Sequence, residues 1–339
     1  MERTNINPLI TVVIPCYNAM PFLPAALESI INQSYSNLEI LCINDGSTDE
    51  TGEVLDQYAQ KDSRINVVHN ETNLRLIATL NKAVELASGD YIARMDADDI
   101  SDINRIKILL NELLVHGADV VSCNYNFLNE AGTEIGKNFI KCISYQEVIF
   151  ASYFFTPIGH ALIVGKKEVF VNNPYSLENY AVHSEDYELW TRLIRQNRKL
   201  INVPDILYAI RINSQSVSRK YEAIQNENFV SIAQNHIELF LKKKIKRKII
   251  QIVVNRMDVV AKNELKEAFA LIHELHSKFS LEFPDVQSKE IVTFQKTDIL
   301  LQVFKKGTLY LKFWSVSQLF LIGINSLFSR RFWQFIRSK

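Results

Sequence analysis

With 339 residues, 47% of them hydrophobic and 22% charged, the chain has the composition of a globular protein with ample material for a core. That length fits one large α/β domain plus an appendage, or two ordinary domains. The overall charge of zero hides an asymmetry: residues 241–339 hold 19 Lys+Arg and 8 Asp+Glu, a net of +11, so residues 1–240 carry −11. An acidic front and a basic rear suggest two parts with different partners.

The four cysteines, Cys16, Cys42, Cys123 and Cys142, form no CxxC pair and no Cys/His cluster at metal spacing. Buried free thiols in a reducing cytosol are the expectation. The opening MERTNINPLI runs straight into a strand pattern and lacks the basic, apolar and small-residue layout of a secretory leader, which points to the cytoplasm.

Along the chain, strand and helix signals alternate over the first 125 residues. LITVVIP (9–15) is a short β-branched run of the kind found in buried parallel strands. Apolar residues at helical spacing follow over 21–34, then a strand at 38–43 and the turn Asn44-Asp45-Gly46. Ser47-Thr48-Asp49-Glu50 reads as a capping box opening the next helix. A strand at 65–69, a helix at 74–87 and a strand at 91–95 lead into Asp96-Ala97-Asp98-Asp99. A helix at about 102–116 and a strand at 118–124 complete the series. This alternation predicts a doubly wound, mostly parallel sheet flanked by helices, with its site at the carboxyl ends of the strands. Further on, the pattern reads as a strand at 160–164, a helix at 185–196 and strands at 200–203 and 207–212. From about 220 the chain reads as wholly helical.

Three acidic clusters sit where such a fold places a site: Asp45, then Asp96, Asp98 and Asp99, and later Glu185 with Asp186. Carboxylates this close repel one another unless a cation or a donor-rich ligand neutralises them. An oxygen-only set suits Mg²⁺ or Mn²⁺, which keep waters and share oxygens with a diphosphate. Residues 96–99 also read as an Asx-type turn capping the following helix, and spacing alone does not separate the two. Asp186 equally reads as an acid favoured by its helix dipole. There is no GxxxxGK[ST] loop and no GxGxxG after the first strand, so P-loop and dinucleotide chemistry lose support. The turn Pro15-Cys16-Tyr17-Asn18 offers instead an aromatic face and an amide, groups that stack on and hydrogen-bond a base.

At this point the residues resemble family 2 glycosyltransferases of the GT-A fold. The matching stretches are TVVIPCYNAMPFLPAALESIINQSY, LEILCINDGSTDET and ASGDYIARMDADD, continued more weakly by PIGHALIVGKKEVF, HSEDYELWTRL and LYAIRINSQSVS. Together they cover about residues 8–218. YIARMDADDI is most similar to bacterial enzymes that add hexoses or N-acetylhexosamines to lipooligosaccharide or capsule.

The resemblance implies a catalytic domain over 1–218, with a nucleotide-binding half at about 8–125 and an acceptor half at 126–218. A helical, basic region at 219–339 follows it. The donor nucleotide would meet Pro15, Tyr17, Asn18, Asp45, Asp96 and Ala97, with Tyr17 near the uracil, Asp45 on its ring and Asp96 near the ribose. Asp98 matches the acid that coordinates Mn²⁺ or Mg²⁺, and Asp186 the base that deprotonates the acceptor hydroxyl. Asp99, His160, Glu185 and Arg211 match positions in the same cleft. Asn44 stands where many members carry Asp, and Asn73-Leu74-Arg75 where members often have a glycine after the Asn.

The implied reaction is metal-dependent, inverting transfer from UDP-hexose or UDP-N-acetylhexosamine to a glycan or lipid-linked acceptor in surface-glycan synthesis. A dTDP-sugar (rhamnosyl-type) donor is the runner-up. A nucleotidyltransferase would need a glycine-rich basic loop after the first strand, which PCYNAMPFLP lacks. The intact Asp45, Asp98 and Asp186 argue against a catalytically dead scaffold.

In the basic rear, KKKIKRK (242–248) is followed by cations interleaved with Phe313, Trp314, Phe328, Phe332 and Trp333. No run of about 20 apolar residues is present to span a bilayer. The mixture suits a helix lying among anionic headgroups, so peripheral contact with the inner face of the cytoplasmic membrane is expected. The alternative is a basic helical pair packed on the rest of the protein. No nucleic-acid module surrounds the charge.

Overall fold

A computed structural model describes residues 7–138, 142–213, 221–257, 260–286 and 289–306, with Ser315 and Gln318. The chain divides into two units. Residues up to Val148 with Pro157–Glu222 form one, and Ile149–Thr156 with the chain from Ala223 onward form the other.

Among the described residues, the first unit is built on a nine-stranded sheet. β1 (Ile10–Cys16) is buried at every residue but Pro15, as its unbroken β-branched run requires. α1 (Leu23–Ile31) starts with Pro24 in its first turn, where a missing N–H costs nothing. β2 (Leu38–Asn44), α2 (Thr51–Lys61), β3 (Ile65–His69), α3 (Arg75–Leu86) and β4 (Tyr91–Arg94) follow. The helix after Asp45 begins at Thr51 without the expected capping box. Ser47 Oγ accepts from the Asn18 N–H instead, and Asp49 Oδ1 takes the Thr51 N–H.

Next come the two-residue β5 (Ile100–Ser101), α4 (Arg105–His116), β6 (Val120–Leu128), β7 (Glu134–Asn138) and the start of α5 (Tyr145–Ala151), whose residues from Ile149 belong to the second unit. α4 is closed by Gly117 in the left-handed region. β8 (Val164–Lys166), α6 (Lys167–Asn172), α7 (Glu185–Arg195) and β9 (Leu200–Arg211) complete the unit. The strand expected at 160–164 is a 3₁₀ turn over His160–Leu162 with β8 beginning at Val164. The two strands expected at 200–203 and 207–212 are one. Their pairing slips where Asn124 Nδ2 reaches across to the Pro204 carbonyl, 2.8 Å away.

The strand order is β3-β2-β1-β4-β8-β6-β9-β5, with β7 beside β6. β3, β2, β1 and β4 are parallel, as their alternation with helices demands. Beyond β4 the sheet is mixed: β8 is antiparallel to both its neighbours, while β6 and β9 run parallel. In register, Cys16 lies beside Asn44 and Asn44 beside His69. Tyr17, Asp45 and Asn70 therefore leave the sheet at one level of its carboxyl edge. Ile14, Leu23, Leu27, Ile40, Ala93, Ile106, Leu109 and Val164 sit in the core beneath that edge. All four cysteines are buried and free.

The second unit is helical: α8 (Glu222–Leu241), α9 (Arg247–Val253), α10 (Lys262–Glu282) and α11 (Lys289–Lys306). Within it, Phe150 packs on Phe279 and Tyr153 between His236 and Phe240, with ring centroids 4.8–4.9 Å apart. Segment 149–156 thus supplies that unit's aromatic core. In the basic run, Lys243, Lys244, Lys246 and Arg247 pair with Glu274, Glu238, Glu267 and Glu227. Phe313, Trp314, Phe328, Phe332 and Trp333 lie outside the described residues. No helix among the described residues is long and apolar enough to cross a membrane.

Candidate active site

At the end of β2, Asp45 is only 4% exposed. Its Oδ1 accepts two hydrogen bonds, from Asn70 Nδ2 at 2.7 Å and the Leu74 N–H at 2.9 Å. Asn70 Oδ1 in turn accepts from Lys82 Nζ at 2.6 Å. The loop 70–75 lies so close that a Cβ on Gly46 (φ +69°) would meet Asn73 N and Thr72 C at 2.8 Å. Only glycine fits there. The loop turns at Arg75, whose φ of 69° places a long side chain in the left-handed region. Asn44 Oδ1 accepts the Ser47 N–H, and its amide meets His69 Nδ1 at 3.0 Å. Asn44 thus shapes the turn, while Asp45 faces the loop.

Across β1, Tyr17 is 51% exposed, an open aromatic face. Asn18 (φ 47°) accepts the Thr48 N–H on Oδ1, so its carbonyl is committed to the neighbouring turn. Pro15 is half-buried, next to buried Cys16.

The acidic turn after β4 is held from both sides. Arg94, buried in β4, grips Asp96 with Nη2–Oδ1 at 2.6 Å and Nη1–Oδ2 at 3.1 Å. The Asp96 N–H donates to Tyr208 Oη at 3.1 Å. Asp99 is buried and accepts the Arg211 N–H at 2.8 Å. Arg211 Nε reaches the Asp98 carbonyl at 2.9 Å, Nη1 the carbonyls of Asn129 and Glu130, and its guanidinium lies 4.7 Å from the centre of the Phe22 ring. Both Asp99 and Arg211 therefore fix the turn's backbone. Ala97 is buried in it.

Asp98 accepts Asn213 Nδ2 on Oδ2 at 2.9 Å. Burial and the neighbouring Asp96 carboxylate push its carboxyl up to about 6. No group of three or more His, Cys, Asp or Glu among the described residues is arranged to hold a metal alone. The donor chemistry nonetheless fits a hard divalent cation. Asp98 offers a carboxylate whose charge, disfavoured by burial and by Asp96, a cation would stabilise, with the other ligands drawn from water and a phosphate-bearing substrate. Asp96, engaged at both oxygens by Arg94, is the poorer first ligand.

Glu185 and Asp186 open α7. Burial first, then the adjacent Asp186 charge, hold Glu185 up to about 7. Burial likewise raises Asp186, whose Oδ1 accepts the Tyr187 N–H at 2.7 Å. Asp96 adds to the rise at Glu185 and Arg94 opposes it, so the turn after β4 and the start of α7 share one electrostatic neighbourhood. His160 Nε2 meets Tyr175 Oη at 3.0 Å, and its ring lies against Trp190. Burial, then Arg94, keep that imidazole neutral.

Arg94, Asn70, Lys82, Tyr175, Tyr208 and Asn213 all hold site residues, and none was singled out from the sequence. Arg94 carried a signal, a cation inside the apolar strand YIAR. The others acquire their roles only through folding.

The glycosyl transferase family 2 model matches residues 11–164. An uncharacterized glycosyltransferase of Haemophilus influenzae is 31% identical over 246 residues, covering 70% of this chain and 75% of that protein. The chain belongs to glycosyl transferase family 2. This family 2 glycosyltransferase also shares its fold with Staphylococcus aureus TarS 1–349, solved in complex with UDP-GlcNAc. That match has a TM-score of 0.54 and 17% identity, covering 88% of this chain and 83% of TarS 1–349. The mannosyltransferase PcManGT of Pyrobaculum calidifontis, solved with GDP-Man and Mn²⁺, matches with a TM-score of 0.55 and 15% identity, over 98% and 85% of the two chains. The GT-A-type sheet expected from the sequence is therefore present, followed by a helical region, and the chain is a transferase.

Proposed function

We propose that this enzyme moves a hexose or N-acetylhexosamine from a UDP-sugar to a glycan acceptor of a bacterial surface polysaccharide, with inversion at the anomeric carbon. The observation that carries this reading is the set of carboxylates after β2 and β4, Asp45 with a polar loop and Asp98 beside an Arg-bound Asp96, together with a half-buried Asp186 at the head of α7 that feels the same Arg94. TarS, a relative in fold, binds UDP-GlcNAc.

In this reading the uracil stacks on Tyr17 and donates its ring N–H to Asp45. Asp98 would hold Mn²⁺ or Mg²⁺, which supplies charge for the leaving diphosphate when bound. Asp186 accepts the proton of the acceptor hydroxyl. The hydroxyl oxygen then bonds to the anomeric carbon as the bond from that carbon to the diphosphate oxygen breaks, releasing the nucleoside diphosphate. Burial raises the proton affinity of Asp186 above that of an ordinary carboxylate, which suits a base.

The net of +11 over 241–339 supports peripheral contact with an anionic membrane, where a lipid-linked acceptor would be concentrated. The pairing of four cations in 242–248 shifts the weight of that contact to the residues beyond 300.

The test is a thermal-shift screen of UDP-, dTDP- and GDP-sugars with and without Mn²⁺. A metal-dependent rise in melting temperature with UDP-sugars supports the reading. Stabilisation by no nucleotide sugar would overturn it.

A further inference from the structure

We infer that Lys82 and Asn70 are positioning residues that select the donor's base by leaving Asp45 a single open acceptor oxygen, which matches uracil or thymine and excludes guanine. The inference rests on the assignment of Asp45 to the base in the preceding reading.

Consider the hydrogen-bonding capacities. Lys82 can only donate and a carboxylate can only accept, so the amide of Asn70 between them has one permitted orientation, with Oδ1 to Lys82 and Nδ2 to Asp45. The Leu74 N–H occupies the same Asp45 oxygen. That donor cannot retreat easily, because the loop backbone at 72–73 is pressed against Gly46. Oδ1 is thus filled by two donors fixed from different elements, the end of β3 and the start of α3. Oδ2 takes no hydrogen bond among the described residues.

The bases differ on the edge that would meet this oxygen. Uracil and thymine present one imide N–H flanked by carbonyls, which a single acceptor satisfies. Guanine presents two adjacent donors, the ring N–H and the amino group. A carboxylate with both oxygens free could take both, but one with a single open oxygen leaves a desolvated donor unpaired. Cytosine presents a ring-nitrogen lone pair beside its amino group, and the lone pair would face the carboxylate. An unpaired or repelled polar group is how a site rejects a near relative of its ligand.

Lys82 matters because it tethers Asn70 by a charge-assisted bond. Without it the amide is free to leave Asp45, and Oδ1, left with the Leu74 N–H alone, recovers room for one further donor.

Calorimetric titration of the full chain with UDP, dTDP, GDP and CDP, each with Mn²⁺, tests this. The wild type should bind UDP and dTDP at least about tenfold more tightly than GDP and CDP, a difference of about 1.4 kcal/mol. In Asn70→Ala and Lys82→Met the UDP-to-GDP ratio should shrink several-fold, while Lys82→Arg should restore it. A wild-type ratio near one, or tighter binding of GDP, overturns the base selection and leaves the transferase reading standing. An unchanged ratio in variants whose melting curves show them folded overturns the role of Lys82 and Asn70. Binding of none of the four diphosphates overturns the donor reading itself, and this inference with it.

Discussion

The guanidinium of Arg94 clasps the carboxylate of Asp96 side-on, making two charge-assisted contacts at 2.6 and 3.1 Å. Burial works against the charge of Arg94, but Asp96, followed by Tyr175, Tyr208 and Glu185, outweighs it and holds the group above its ordinary value. One buried cation thus offsets carboxylates from two separate acidic clusters.

Losing that cation should weaken both the fold and donor binding. Arg94→Met should cost about 1–3 kcal/mol, less than the 3–5 typical of a fully buried pair because the Asp96 side chain is 39% exposed. Arg94→Lys keeps the charge but not the fork, so it should melt closer to wild type while donor KM rises about tenfold. Urea melts and donor titrations check this. A lysine variant with wild-type KM would show that the fork geometry is irrelevant.

Asp98→Asn should move stability and activity in opposite directions. The wild-type carboxyl is pushed up to about 6 by burial and by Asp96, so an amide relieves repulsion in metal-free protein at pH 8. Melting in EDTA should show no loss of stability, while metal-dependent donor binding and transfer disappear. Full wild-type activity in excess EDTA would sink the metal assignment.

Glu185 should make the metal-free protein less stable as pH rises. Its ordinary value is 4.5 and its folded value about 7. Between those limits the unfolded chain has released the proton that the folded chain retains. Raising the pH through this window therefore favours unfolding, by up to about 3 kcal/mol. Below pH 4.5 the carboxyl is neutral in both states and the penalty is absent. In EDTA, Glu185→Gln should flatten the fall in melting temperature from pH 5 to 8. Equal slopes for variant and wild type would contradict this.

Asp186→Asn should leave donor affinity close to wild type and lower turnover by at least about 10²-fold, because the lost contact acts on the acceptor's proton. Transfer by the wild type should increase with pH through a value above the ordinary 3.8 of an aspartate, the direction in which burial moves this group. Single-turnover assays across pH read both effects. Wild-type turnover in the variant would shift the role to Glu185.

Full-length protein should sediment with anionic vesicles more than with neutral ones, and a version ending near residue 300 should do so less. Each cation near the surface contributes about 1 kcal/mol. The carboxylate partners of Lys243, Lys244, Lys246 and Arg247 make the run at 242–248 the weaker contributor. Equal binding of the two proteins would assign the tail to packing alone.

The strand–helix alternation of the first unit was legible because buried parallel strands are written as continuous apolar runs. Shorter pieces such as β5, β7 and α6 leave too few residues for a period to emerge. The acidic turns were legible as residue types at strand ends, but their internal division of labour was not. Asp96 differs from Asp98 because Arg94 is paired to it, and Asp45 is shaped by a lysine on the next helix but one. Such differences arise from side-chain partners, which composition and periodicity do not encode. His160 mimicked a strand residue because a 3₁₀ turn beside an apolar stretch leaves the same local pattern.

The bonds from β9 tie the acidic turn to sequence far downstream of it. Tyr208 receives the Asp96 N–H and Arg211 donates to Asp99, each across 112 positions of sequence. A chain cut at the end of the family match, residue 164, would keep the residues of β1–β4 yet lack the braces that shape residues 96–99. A fragment limited to the family match therefore keeps Asp45 and Asp98 but not the partners from β9 that fix the turn around Asp98.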